Sequence, residues 1–149
     1  MKKSLQDLLR EGSVRRVRPN RRVIDNALAK AHKDLVVAEK LIELEEYDWA
    51  YVSSYTSMYS TAKALMNHMG FRPSSRDSHV SVIKFLALVE VGEEVNEFSI
   101  ILDRLRRSRH RVMYDDYDFI TENVALDAKS WSVKFLSIIE QTLKMSTKL

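Results

Sequence analysis

Between Asp103 and Tyr114 the chain reads Asp-Arg-Leu-Arg-Arg-Ser-Arg-His-Arg-Val-Met-Tyr, five arginines around one histidine. At about 100° per residue on a helix, Asp103, Arg107, His110 and Tyr114 line one side, roughly opposite an apolar stripe that contains Leu105 and Val112. Guanidinium neighbours disfavour the charged imidazole, so His110 is placed to serve as a general base near neutral pH. The arginines can hold a phosphate and stabilise charge developing on it. The alternative is a solvated basic face in which Arg109 pairs with an acidic residue such as Asp115 or Asp118.

Other chemistry finds less support. His32, His68, His79 and His110 lie on separate segments, none with a carboxylate three residues earlier. The Glu-x-x-His pairs of bundled di-metal sites are therefore missing, and neither metal nor cofactor is expected. There is no phosphate-binding glycine loop, no His-Glu-x-x-His and no Gly-x-Ser-x-Gly, so the usual nucleotide-hydrolase and acyl-hydrolase signatures are unsupported. Tyr51, Tyr55, Met58 and Tyr59 sit at helical spacing and read as core, with phenol hydroxyls reaching partners at the bundle edge.

The elements that must position these residues are helical. Of 149 residues, 45% are apolar and 30% charged, while 3 Gly and 2 Pro supply little of the punctuation that a β-rich chain needs. This length holds one domain with its own core. The expected architecture is all-α, an antiparallel up-and-down bundle of four to five helices over residues 20–146, preceded by a basic N-terminal arm over residues 1–19 with a short helix at Ser4 to Arg10. Asn20 is a plausible N-cap, and Ile24, Ala27, Leu28, Ala31, Leu35, Ala38, Leu41 and Ile42 follow at the spacing of one buried face. A second helix runs from about Asp48 to Met69, with Trp49 among its apolar positions and Gly70 as its stop. A shorter third carries Val80, Ile83, Leu86 and Ala87 and ends at Gly92. The fourth, about Glu93 to Met113, buries Phe98, Ile101, Leu102, Leu105 and Val112, with Arg109 where a hydrophobe would be expected. After an acidic aromatic connection, Thr121 opens a last helix with Val124, Ala128, Trp131, Phe135, Ile138 and Leu143 facing inward.

Charge and cysteine content narrow the setting. The net charge is only +3, but Lys2, Lys3, Arg10, Arg15, Arg16, Arg18, Arg21 and Arg22 face only Asp7 and Glu11 in the opening segment. Such a run raises the local concentration of any polyanion. The absence of cysteine fits a reducing compartment. No membrane-length apolar run and no signal-type stretch occur, and the expected location is cytoplasmic.

Two stretches together resemble the HEPN domain. One runs from Ala38 to Met66, with Glu46-Tyr47-Asp48-Trp49-Ala50-Tyr51 opening a helix of small and aromatic residues, followed by Gly70 and Ser78-His79-Val80. The other is the arginine-rich helix ending in Arg109-His110 and then Tyr114-Asp115. The resemblance covers roughly residues 20 to 145. It implies a helical domain that commonly dimerises and, in active members, a metal-independent ribonuclease centre marked by an arginine, four to six residues of spacer and a histidine. Arg104 and His110 fit that signature as the catalytic pair, with Arg106, Arg107, Arg111 and Tyr114 as phosphate or nucleic-acid contacts. The implied partners are a second copy, RNA or nucleotide, and a minimal nucleotidyltransferase of the toxin-antitoxin kind. Equally open on the resemblance is a noncatalytic module that binds nucleotide or that transferase.

Overall fold

Ser4 and Asp7 cap each other's backbone N–H groups and open α1, Leu5–Glu11, satisfying donors that a first turn otherwise leaves free. The computed structural model describes residues 3–147, so Met1 and Lys2 of the basic segment lie outside the described residues. After Gly12, in the left-handed region at φ 76°, the chain forms strand β1, Val14–Arg16. Leu8 and Val14 are buried against the core, which fixes this segment to the bundle.

Asn20 caps α2, Arg21–Glu43, through Oδ1, which accepts from Arg22 N at 2.9 Å and Val23 N at 3.4 Å. Helix α3, Tyr47–His68, follows after three residues, a connection that makes the two antiparallel neighbours. Strand β2, Phe71–Pro73, pairs antiparallel with β1. Then come α4, Ser78–Leu88, and α5, Glu93–His110. A π-helical turn, Arg111–Asp115, leads through an irregular connection to α6, Glu122–Thr147. The fold is all-α apart from the small two-stranded ribbon, and no helix among the described residues is long and apolar enough to cross a membrane.

Helix α3 is the axis of the assembly. Tyr51, Tyr55, Met58, Leu65 and Met66 are buried together with Ala50, Ser54, Ser57, Ala62 and Ala64. Its small residues admit neighbouring backbones at close range, and its hydroxyls satisfy groups that the crowding would otherwise strand. Ser53 Oγ donates to the Asp34 carbonyl at 2.7 Å, and Ser57 Oγ to that of Ala31 at 2.8 Å. From α6, Ser132 Oγ donates to the Ser54 carbonyl. Phe85 and Leu86 of α4, Phe98 and Leu102 of α5, and Phe135 and Ile139 of α6 complete the core.

Several boundaries and faces differ from the sequence expectation. Gly92 begins α5 as its N-cap rather than ending α4; α4 stops earlier, at Val89, whose carbonyl accepts from Asn96 Nδ2 at 2.8 Å. The fourth helix leaves α geometry at His110 instead of running to Met113. Trp49 is 50% exposed, Trp131 39% and Val124 42%, while on α6 Ala125, Ser132 and Leu136 are buried in place of Val124 and Trp131. Ala87 is also exposed.

Asp48 ties the start of α3 to the connection before α6: Oδ2 accepts from Asp118 N at 2.8 Å and Oδ1 from Ile120 N at 3.0 Å. Hydrogen bonds to a charged acceptor contribute roughly 1.5–3 kcal/mol. Asp48→Ala should therefore lower unfolding free energy in urea by about 2 kcal/mol, and Asp48→Asn by less, since one acceptor survives. Equal stability of the alanine variant and the parent would contradict this anchoring role.

Candidate functional site

Helix α5 presents two opposed faces. Val95, Phe98, Ser99, Leu102 and Leu105 are buried, and continuing that stripe by one turn from Leu105 reaches Arg109. Its guanidinium crosses the ring of Tyr55 on α3, 5.7 Å from the centroid, a cation–π distance. The arginine thus covers apolar surface while its charge stays at the edge. The alternative pairing of Arg109 with Asp115 or Asp118 is not adopted.

The outer face holds the predicted cluster. Asp103 binds two arginines: Arg106 through Nε at 3.1 Å and Nη2 at 3.0 Å, and Arg107 through Nη2 at 3.0 Å. Arg111, at the start of the π-helical turn, is held by Asp116 at 2.7 Å and lies over the Phe119 ring at 4.3 Å. The wider turn closes with Asp116 N donating to the Arg111 carbonyl at 2.8 Å. The His110 ring contacts that of Tyr114, with centroids 4.8 Å apart, and Tyr114 is otherwise exposed. Arg104 lies near the buried Tyr51 phenol, to which Ser108 also hydrogen-bonds.

Three of the arginines named from sequence are thus tied to carboxylates. Arg104 and His110 have no ion-pair partner among the described residues. They stand about 9 Å apart along the axis and about 120° apart around it, as six residues of α-helix require. One copy of the helix therefore presents them on different sides.

A second histidine occupies the guanidinium-rich setting expected for His110. His79, in the first turn of α4, stacks on Tyr59 with centroids 4.4 Å apart and interplanar angle 20°. Its Nδ1 is hydrogen-bonded to the Tyr55 hydroxyl. Burial raises the Tyr55 phenol well above its ordinary range, so the phenol keeps its proton. Burial lowers the pKa of His79, and the positive charges of Arg109, Arg106 and Lys63 lower it further, against an opposing pull from Asp77. Sequence spacing does not bring His79 to Tyr55, because the contact spans 24 positions and two helices. The one available signal was the Tyr55–Tyr59 pair at i, i+4. Elsewhere His32 Nε2 lies 3.0 Å from Glu140, and among the described residues no group of three His, Asp or Glu side chains is placed to hold a metal ion.

The family model for the HEPN domain matches residues 24–142 of the chain. No curated protein matches it.

The His79 environment carries a pH signature. The native state binds fewer protons than the unfolded chain between the lowered pKa and the ordinary value of 6.5, so this residue's contribution to stability is present above pH 6.5 and is lost on acidification below it. The stability difference between the parent and His79→Gln should shrink as pH falls from 7.5 to 5 in urea titrations. A difference that stays flat or grows over that interval would exclude this reading of the cluster.

Proposed function

The chain belongs to the HEPN domain family, and from that premise we propose that it acts on RNA as a dimer, Arg104 and His110 forming a metal-independent cleavage centre across two copies. One observation carries the reading. Of the cationic run on α5 and its π-helical extension, Arg106 and Arg107 share Asp103, Arg111 pairs with Asp116, and Arg109 is laid on Tyr55. The arginine and histidine of the spacing signature meet no carboxylate among the described residues, and the ring contact of His110 is with the exposed Tyr114.

Their separation on one helix supports a composite site, in which each copy supplies one member. Ile100, one turn before Arg104, is 65% exposed. A single exposed apolar side chain is ordinary on a protein surface, so the composite site rests on the separation of the two residues. In the reaction, a His110 nitrogen takes the proton of a ribose 2′-hydroxyl and the 2′-oxygen attacks the adjacent phosphorus. The bond to the 5′-oxygen breaks, the imidazolium returns the proton to that departing oxygen, and a 2′,3′-cyclic phosphate remains. Arg104 stabilises the extra negative charge on the pentacovalent phosphate. Arg106, Arg107, Arg111 and Tyr114 flank the path of the strand. Exposed ion pairs such as theirs are worth at most about 1 kcal/mol each, so a phosphate can compete with Asp103 or Asp116.

A second reading is a noncatalytic HEPN module that binds nucleotide or a minimal nucleotidyltransferase. It is favoured by the ring contact of His110, which is with Tyr114.

Incubated with mixed RNA in chelator, the parent protein should generate cyclic-phosphate ends. His110→Ala should reduce the rate by roughly 10²–10⁴-fold, the usual contribution of a positioned general base. Arg104→Ala should show a loss of similar order with RNA affinity largely kept. Cleavage at the same rate by parent and His110→Ala would reject the catalytic reading, and stoichiometric co-purification with a nucleotidyltransferase would then favour the second.

A further inference from the structure

The ribbon built from β1 and β2 sets Arg15 directly opposite Arg72. Like charges in facing positions of an antiparallel pair destabilise it. Nothing in the fold offsets this placement: among the described residues no carboxylate lies within ion-pair distance of Arg15, Arg16, Arg18 or Arg72. Arg15, Arg16, Arg18 and Arg72 are all exposed, and Arg16 reaches back over the buried Phe71 ring at 5.4 Å. The ribbon is nevertheless firmly held, with Val17 N donating to the Gly70 carbonyl at 3.0 Å and Ser74 N to that of Ser13 at 3.2 Å. A rigid element that concentrates unpaired positive charge violates a local rule of sheet pairing, as a binding surface does.

Beside it, between α2 and α3, lies a cavity of about 530 Å³, the size of a small-ligand pocket. Lys30, Lys63 and Arg72 line it together with Phe71 and the amides of Asn26 and Asn67. Lys30 is paired with Asp34 at 2.9 Å, and Lys63 lies over the Tyr59 ring at 5.0 Å. Asn67 is only 7% exposed. Its Oδ1 accepts from Asn20 N at 2.8 Å, which leaves the amide hydrogens as donors at the cavity wall.

We infer that this ribbon and cavity form a second nucleic-acid site, remote in sequence from α5, that takes a single strand: phosphates on Arg15 and Arg72, one nucleotide in the cavity. Cations supply backbone attraction, Phe71 and its apolar neighbours a floor, and the paired amides hydrogen bonds to a base edge. A duplex keeps its bases paired and stacked, so it would leave the cavity and its amide donors without a base to meet. A flat anionic membrane would meet the arginines but leave the cavity and its amide donors unused. The inference leans on the proposed function only for the choice of RNA as the polymer.

The test uses the full chain carrying His110→Ala, so that strand binding is measured without cleavage. Fluorescence anisotropy with labelled ten-nucleotide RNA and DNA oligomers, across 50–300 mM KCl, compares this protein with versions that add Arg15→Ala and Arg72→Ala together, or Ala27→Leu, which intrudes on the cavity from α2. Removing two phosphate contacts should flatten the slope of log affinity against log salt by about 1.4, at roughly 0.7 per contact on a single strand. Affinity at 100 mM salt should fall by about tenfold or more. Ala27→Leu should weaken binding while leaving the slope unchanged. Since the arginines are exposed and mutually repelling, their removal should not lower the melting temperature, so lost binding is not lost folding. Arginine-dependent binding of either oligomer would support the site, and any difference in affinity between the two would name its preferred polymer. Unchanged affinity and slope in the double variant would overturn it, as would arginine-dependent binding to phosphatidylserine vesicles without oligomer binding. Strand binding at the ribbon with no cleavage by the parent would sustain this site while removing the proposed α5 chemistry. Cleavage that persists in Arg15→Ala/Arg72→Ala, with affinity and slope unchanged, would do the reverse.

Discussion

Helix α3 is enclosed on nearly every side, and the positions of the other elements follow from that enclosure. A helix so placed must be narrow where neighbours cross it, and most of its buried hydroxyls need acceptors, Ser54 Oγ being one that has none. Ala50, Ser54, Ser57, Ala62 and Ala64 provide the narrowness. The hydroxyls of Ser53 and Ser57 answer it on the α2 side, and that of Ser132 on the α6 side. Where α3 does carry a large polar side chain, at Tyr55, the consequences run outward: the hydroxyl meets His79 of α4 and the ring face meets Arg109 of α5. One buried phenol thereby sets the relation between the core and the cationic face.

The charges on α5 are sorted by what lies within reach rather than by sequence adjacency. Asp103 serves both Arg106 and Arg107, Asp116 serves Arg111, and the aromatic face of Tyr55 serves Arg109. This division singles out Arg104 and His110 more sharply than the motif spacing could, in a segment where arginine before histidine is nearly unavoidable. It also leaves the two on different sides of one helix, which is why the proposed chemistry is assigned to two copies. The ribbon shows the opposite economy: among the described residues its arginines pair with no acid, and Arg15 and Arg72 lie where the pairing geometry makes them repel.

Much of the bundle was legible from residue periodicity. Asn20 caps α2 as its type suggests, and Ile24, Ala31 and Ala38 are buried at the predicted spacing. The HEPN resemblance was readable in the α2–α3 region and the arginine-rich helix, and the family match covers both. What escaped was set by tertiary contact. A three-residue strand such as Val14–Arg16 has no alternation to detect, and its partner lies 55 or more positions away. The π-helical turn after His110 has no compositional mark. Trp49, Trp131 and Val124 show that apolar residues on a helix are not thereby inside, since smaller neighbours can occupy the closest approach. An imidazole among guanidinium groups was anticipated at His110; His79 has such neighbours in Arg109 and Arg106, reached across helices that sequence adjacency does not join.

The central functional claim is that Arg104 of one copy and His110 of another complete a single cleavage site. Mixing Arg104→Ala and His110→Ala proteins, each inactive alone, tests it directly through RNA cleavage without metal. Subunit exchange should restore about a quarter of parental activity, since half the dimers are mixed and each retains one intact site of two. A mixture as inactive as its components, with exchange verified, would contradict the account.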